Sequence, residues 1–113
     1  MTDMNQSELE AHLAWHIRVS GLPTPEREYR AIPGRKHRFD FAWPNFKLLL
    51  DVQGGIFNKG KHGRGLGIMQ DQEKLNLATI EGWHVMQVST RHVTQGQAIQ
   101  WLRRFFEKRH VDA

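Results

Sequence analysis

The sequence predicts an α/β protein with a mixed central sheet flanked by helices, on three observations. Residues 39–43 and 46–52 are apolar runs of strand-forming residues on either side of a Pro-Asn turn, which is typical of a β-hairpin. Residues 70–81 repeat apolar side chains at helical spacing and end at a glycine, and residues 83–89 then read as a buried strand. A strand, a helix and a strand joined by short links imply a right-handed crossover and a parallel strand pair.

Length and composition favour one domain over residues 1–113. With 39% hydrophobic residues, the chain can bury one core but is too short for two. It has no cysteine, which excludes disulfides and thiolate metal sites and fits a reducing cytoplasm. The sequence has no apolar run of membrane length and no signal-peptide pattern, so we expect no membrane association.

The remaining elements are predicted from local patterns. Ser7 and Glu10 have the spacing of a capping box at the start of a first helix that ends near Ser20. Residues 26–32 alternate charged and apolar side chains, which indicates an exposed strand. Residues 94–108 predict one closing helix. Its expected core face consists of Ala98, Ile99, Leu102, Phe105 and Phe106.

Residues 56–68 are predicted as a glycine-rich basic loop. Lys59, Lys61 and Arg64 lie among its glycines, without any acid, and the net charge of +4 favours a polyanionic partner. Backbone N–H groups and cations spaced by glycine can hold a phosphate. His62, in the same segment, is a candidate phosphate donor or general acid because histidine titrates near neutrality. The alternative is a flexible connector.

Two aspartates interrupt the apolar runs of the hairpin. A turn centred on residues 44–45 places Asp40 one pleat away from the partner of Asp51. An ionised carboxylate in an apolar strand loses hydration at a cost of several kcal/mol unless it has a partner or a metal. Converging carboxylates are the hard oxygen ligands that suit Mg²⁺. Lys36 and Arg38 precede the hairpin and form either a solvated edge or a surface that neutralises substrate phosphate.

The spacing of these aspartates resembles the active-site signature of the PD-(D/E)xK nuclease superfamily. The resemblance covers roughly residues 7–105. Within the superfamily, the chain is similar to small phage and bacterial endonucleases, including the virus-type replication-repair nucleases. Four segments carry the resemblance: residues 38–44, 51–55, 60–65 and 71–76.

The resemblance implies a restriction-endonuclease-like αβββαβ core and a metal-dependent DNA endonuclease that hydrolyses phosphodiester bonds. Such an enzyme would act in recombination or repair in the cytoplasm of a bacterial or phage-infected cell. The resemblance further implies Mg²⁺, with Mn²⁺ as a substitute, held by Asp40, Asp51, the carbonyl of Val52 and a glutamate of the first helix. Glu10 is the best match for that glutamate, with Glu8 behind it, and the alternative role of Glu10 is the helix cap.

The signature usually has a lysine two residues after the second acid, and here that residue is Gln53. An amide can hold a water molecule by hydrogen bonds, but it carries no charge and cannot act as a base. Lys74, on the predicted helix of residues 70–81, is the alternative source of positive charge. Local spacing favours Gln53 as the working residue.

Other interpretations concern the partner and the histidines. The basic surface also fits a non-catalytic nucleic-acid-binding protein, although two carboxylates would then repel the phosphates. His12 and His16 have the i, i+4 spacing of a helical metal site but no glutamate between them as in HExxH, so a solvent-facing pair is favoured. The expected partner is duplex or branched DNA. We expect a homodimer, because double-strand cutting needs two active sites.

Overall fold

The backbone of residues 4–54 and 61–110 is described by a computed structural model, with side chains for all of these except residues 61–64 and 110. The elements in chain order are α1 (Gln6–Val19), β1 (Glu26–Tyr29), β2 (Phe39–Trp43), a 3₁₀ turn (Pro44–Phe46), β3 (Leu48–Gln53), α2 (Lys61–Ile80), β4 (His84–Ser89), α3 (Thr90–Thr94) and α4 (Gln97–His110). The strands form one mixed sheet in the order β1-β2-β3-β4, with β1–β2 and β2–β3 antiparallel. The predicted α/β class is confirmed.

The chain divides into two compact units. The helical unit comprises residues 4–24, 52–54 and 88–110 of the described chain, and the sheet unit comprises residues 25–51 and 61–87. Among the described helices, none is both long enough and apolar enough to cross a bilayer.

The helical unit packs α1, α3 and α4 together. The α1 core residues Leu9, Leu13 and Ile17 recur every four positions and are buried. On α4, the predicted core face is confirmed for four of its five residues, whereas Phe105 is half-buried. The four buried residues are Ala98, Ile99, Leu102 and Phe106.

The first helix begins earlier than predicted. Oδ1 of Asn5 accepts the N–H of Glu8 at 2.8 Å, and Oε1 of Glu8 accepts the N–H of Asn5 at 2.9 Å. The predicted capping box of Ser7 and Glu10 is therefore wrong. Two overlapping boxes exist in the sequence, and asparagine caps as well as serine, so the earlier box is used because it lengthens the helix.

The predicted closing helix over residues 94–108 corresponds to α4, which begins three residues later, and a separate short helix, α3, precedes it. Nδ1 of His92 accepts the backbone N–H of Ser89 at 3.0 Å and starts α3 before the predicted boundary. Gly96 has a φ of 88°, a left-handed conformation that ends a helix and that glycine adopts without a steric cost.

The sheet unit buries one face of its strands against α2. Its apolar core is formed by Ile32, Phe39, Ala42, Leu49, Ala78 and Trp83. β1 is exposed, as predicted, but it ends at Tyr29 rather than at residue 32, and it lies at an end of the strand order. β4, the strand at the opposite end of the strand order, exposes His84 and Gln87, so the prediction of a fully buried strand is wrong.

α2 replaces most of the predicted glycine-rich loop, because the chain is helical from residue 61 onward. Each glycine in a helix costs about 1 kcal/mol relative to alanine. Extension of a helix already anchored by packing adds one hydrogen bond per residue, which offsets this cost. The glycines therefore lower the stability of the first half of α2 without breaking it.

Gly65→Ala is expected to stabilise the protein by up to about 1 kcal/mol through helix propensity. A Cβ at residue 65 would meet no atom within 4 Å. Gly54→Ala is the matched control, because its Cβ would lie 2.6 Å from Cδ1 of Leu9 and 2.9 Å from Oε1 of Gln6. That crowding should destabilise the fold by roughly 1–3 kcal/mol. Urea unfolding measures both changes, and the same sign in the two variants would contradict this account.

Candidate functional site

Asp40 and Asp51 face each other across the hairpin of the sheet unit. Phe41 pairs with Leu50, and the same register brings Asp40 opposite Asp51. The backbone N–H of Asp40 donates to Oδ1 of Asp51 at 3.0 Å. The predicted offset of one pleat is wrong, because the turn is longer than two residues: a 3₁₀ turn is followed by Lys47 in the left-handed region, at a φ of 52°.

Lys74 of α2 lies against the second aspartate. Its Nζ donates to Oδ2 of Asp51 at 2.7 Å, and the two side chains are only 18% and 10% exposed. The same Nζ lies 4.3 Å from the ring centroid of Phe39, a cation–π distance. Both oxygens of Asp51 therefore accept a hydrogen bond. Gln53 and Lys74 were the two candidates to replace the missing signature lysine. Of these, Lys74 is the one whose hydrogen bond places it at an acid, Asp51.

Glu28 is a further carboxylate of the site that sequence reasoning missed. Arg27 pairs with Phe41 and Tyr29 with Phe39, so Glu28 lies opposite Asp40. Carboxylate oxygens of Glu28 and Asp40 lie within 4.8 Å of each other. Like charges directly opposite on paired strands are destabilising.

The backbone at Glu28 is also strained. Its φ is 51°, in the left-handed region that costs a non-glycine residue about 1–2 kcal/mol. Two unfavourable features, the strain and the carboxylate pair, thus occur at one point of the β1–β2 ladder. Sequence alone gives no signal for Glu28, because its position opposite Asp40 depends on the register of two strands joined by a long loop.

The predicted phosphate-binding cations lie partly within the described chain. Lys36 and Arg38 are exposed, as expected. Residues 30–36 line a surface cavity of about 470 Å³. Within this segment Arg35 is paired with Glu73, at 2.9 Å between Nη1 and Oε1.

Lys59 lies outside the described residues. Lys61, His62 and Arg64 lie on α2, and their side chains are likewise outside the description. Their predicted contact with phosphate stays a prediction.

In the helical unit, Gln6 anchors the end of β3. Its Oε1 accepts the N–H of Gly54 at 3.0 Å, and its Nε2 donates to the carbonyl of Val52 at 2.8 Å. One amide thus bonds the peptide groups on both sides of Gln53, as a neighbouring strand would. The role of the Val52 carbonyl as a metal ligand stays a prediction. Nothing in the sequence marks Gln6 for this role.

Glu10 accepts a hydrogen bond from Nε2 of Gln6, at 2.7 Å from its Oε2. Its alternative role as the helix cap is wrong, because Glu8 forms the capping box. The role of Glu10 as a metal ligand stays a prediction.

The histidine pair of α1 packs around Trp15. The rings of His12 and His16 lie 6.1 Å apart between centroids, and both residues are half-buried rather than fully solvent-facing. Burial lowers the pKa of His16, and the charges of His12 and Arg103 lower it further. The neutral ring is therefore favoured in the folded protein, and its protonation as the pH falls below the usual histidine range opposes folding.

No protein-family model, curated protein or solved structure matches the chain. The resemblance to the PD-(D/E)xK nucleases gains no support from these comparisons and stays a hypothesis.

The pair of Asp51 and Lys74 predicts a measurable coupling in stability. Asp51→Asn and Lys74→Met should each destabilise the fold by about 1–3 kcal/mol, because each removes one partner of a largely buried charge pair. The double variant should lose less than the sum, with a coupling of roughly 1–3 kcal/mol in a double-mutant cycle.

The exposed pair of Arg35 and Glu73, with 51% and 50% exposure, provides the matched control. The cycle of Arg35→Met and Glu73→Gln should give a coupling below about 1 kcal/mol. Additive losses at Asp51 and Lys74 would show that the pair contributes nothing to the fold.

Proposed function

We propose that this protein is a metal-dependent endonuclease that hydrolyses DNA phosphodiester bonds. The observation that carries the proposal is the arrangement at one level of the sheet unit: Asp40 lies opposite both Asp51 and Glu28, and Lys74 contacts Asp51. Three carboxylates and one ammonium thus lie at one place, and a phosphoryl-transfer site needs both kinds of charge.

The donor set fits a hard divalent cation. Carboxylate oxygens are the ligands that Mg²⁺ and Mn²⁺ prefer. A cation shared by Glu28 and Asp40 would relieve the repulsion between oxygens that lie within 4.8 Å. When bound, the ion would neutralise phosphoryl charge and lower the pKa of a bound water molecule.

The chain's own residues have separate tasks in this proposal. The Asp40 N–H and the Lys74 ammonium fix the orientation of the Asp51 carboxylate. Lys74 supplies the positive charge that stabilises the developing phosphoryl charge, and the Gln53 amide orients water. The sequence favoured Gln53 alone as the replacement for the signature lysine. In this proposal the role is divided: the uncharged amide of Gln53 orients water, and the ammonium of Lys74 supplies charge.

The finer expectations belong to the same proposal. The order of α1, β1, β2, β3, α2 and β4 supports the proposal of a restriction-endonuclease-like αβββαβ core. The carbonyl of Val52 and the carboxylate of Glu10 are proposed as further ligands. Duplex or branched DNA is the proposed substrate, in phage or bacterial recombination or repair, and a homodimer is the proposed assembly.

One observation favours a second candidate, a nucleic-acid-binding protein without catalysis. Asp51 already has an ammonium partner at 2.7 Å, so its buried charge is compensated without a metal. The proximity of the Glu28 and Asp40 carboxylates favours the first candidate, although solvent screens the exposed charge of Glu28.

Asp40→Asn and Asp51→Asn are each expected to abolish Mg²⁺-dependent cleavage of a labelled panel of duplex, nicked and branched DNA. Glu28→Gln should raise the Mg²⁺ concentration needed, because it removes one charge from the donor set. Glu81→Gln, at an exposed carboxylate of the same unit, is the control and should cleave normally. Retained cleavage in both aspartate variants would refute the proposal. DNA binding without cleavage by the wild-type protein in Mg²⁺ and Mn²⁺ would favour the second candidate.

The division of roles between Gln53 and Lys74 has its own test. Each alanine variant should lower the single-turnover rate about 10²- to 10³-fold at saturating Mg²⁺, as for the loss of one preorganised donor. Gln53→Lys should retain activity. The rates are measured well below each variant's melting temperature, because Lys74 also stabilises the fold. If the single-turnover rate of the Lys74→Ala variant equals that of the wild type, Lys74 has no catalytic role and Gln53 alone replaces the signature lysine.

A further inference from the structure

The solvent face of α4 combines aromatic rings with cations. Trp101 is 37% exposed, and its ring centroid lies 4.8 Å from that of His92. Phe105 is half-buried, and the guanidinium of Arg109 lies 3.7 Å from its ring centroid. Trp101 therefore presents part of its ring to solvent on a helix whose separate apolar face is buried.

The rings and the cations occupy one side of the helix. Positions 101, 104, 105, 108 and 109 follow the i, i+3, i+4, i+7, i+8 spacing of a single face. Over its whole length α4 has four Lys or Arg residues and one acid, Glu107, a net charge of 4 − 1 = +3. With a rise of about 1.5 Å per residue, Trp101 and Phe105 lie about 6 Å apart along the axis.

The buried face of α4 argues against a membrane as the partner. Basic amphipathic helices bind anionic bilayers by inserting their apolar face. In α4 that face is buried inside the helical unit, with Ala98 and Ile99 at 1% and 3% exposure and Leu102 at 0%. What remains outside is a set of flat rings separated by cations, which suits stacking on planar groups joined by phosphates.

We propose that this face of α4 binds single-stranded nucleic acid. The surface, termed the α4 surface, is formed by His92, Trp101, Arg104, Phe105, Lys108 and Arg109. The ring of Trp101 stacks on a base, while Arg104 and Lys108 contact the backbone phosphates and Arg109 covers the ring of Phe105. The inference rests on the proposed function for the choice of DNA as the ligand, and it adds a single-stranded segment to the substrate.

The test is the binding of a fluorescein-labelled oligothymidylate of 12 nucleotides, followed by fluorescence anisotropy in EDTA. Because EDTA removes divalent cations, this binding is independent of cleavage. Trp101→Ala should weaken it about 5- to 150-fold, the effect of losing one stacked base. Trp101→Phe keeps a ring and should retain most of the affinity. Trp15→Ala removes a more exposed tryptophan, at 48%, from α1 and should bind like the wild type.

The cations are tested by salt dependence. Arg104→Ala combined with Lys108→Ala should lower the slope of log K against log salt by about 1.4, because each phosphate of a single strand that a cation neutralises adds about 0.7 to that slope. Arg18→Ala, at an exposed cation of α1, is the control and should leave the slope unchanged. Circular dichroism and thermal unfolding establish that each variant is folded.

Three results would overturn the inference. Equal affinity of Trp101→Ala and wild type would remove the stacking role. Tighter binding of a 12-base-pair duplex than of the single strand would assign the surface to duplex phosphates. Binding to phosphatidylserine vesicles that the same variants abolish, without binding to the oligonucleotide, would assign it to a membrane. If Asp40→Asn binds the oligonucleotide normally yet the wild type cleaves nothing, the proposed function fails while this inference stands.

Discussion

The buried carboxylate of Asp51 is the constraint on which the rest of the sheet unit depends. It must have donors at both oxygens, and these come from the backbone of β2 and from the Lys74 side chain of α2. The first bond holds the hairpin in its register, and the second holds α2 against the strands. In the proposed nuclease, catalysis and folding would therefore depend on the same atoms, and a cation at Asp51 would have to share the carboxylate with the Lys74 ammonium.

Local patterns in the sequence carried most of the fold. The hairpin strands and the buried face of α4 were predictable, because each follows from a periodicity of two or of 3.6 within a short segment. The glycines of residues 63–67 led to the wrong prediction of a loop. Low helix propensity did not prevent a helix there, because the helix extends from a packed segment. The break at Gly96 was not predicted. A glycine ends a helix when its φ is positive, as at Gly96, and the sequence alone does not reveal the φ of a glycine.

The site was predictable only in part, for a geometric reason. Asp40 and Asp51 are visible as charges in apolar runs, whereas their direct opposition depends on the left-handed Lys47 that lengthens the turn. Glu28 and Gln6 have partners far along the chain. The strand register places Glu28 opposite Asp40, and Gln6 bonds Gly54 at the end of β3. No local pattern encodes such a partner. Lys74 was a candidate because of its positive charge. That it binds Asp51 rather than a nearby acid of α2 depends on how α2 packs against the strands, which the local sequence does not encode.

The close approach at Gly54 has a consequence for how related sequences can vary. The space that a Cβ would need is filled by the Leu9 side chain and by the Gln6 amide that bonds the Gly54 N–H. A larger residue at position 54 would therefore displace the Leu9 side chain and the Gln6 amide, and is best accommodated by a smaller residue at position 9 and a different anchor at position 6. In an alignment of homologues these three positions should change together, although position 54 lies more than forty residues from positions 6 and 9, and a glycine at 54 should accompany glutamine at 6.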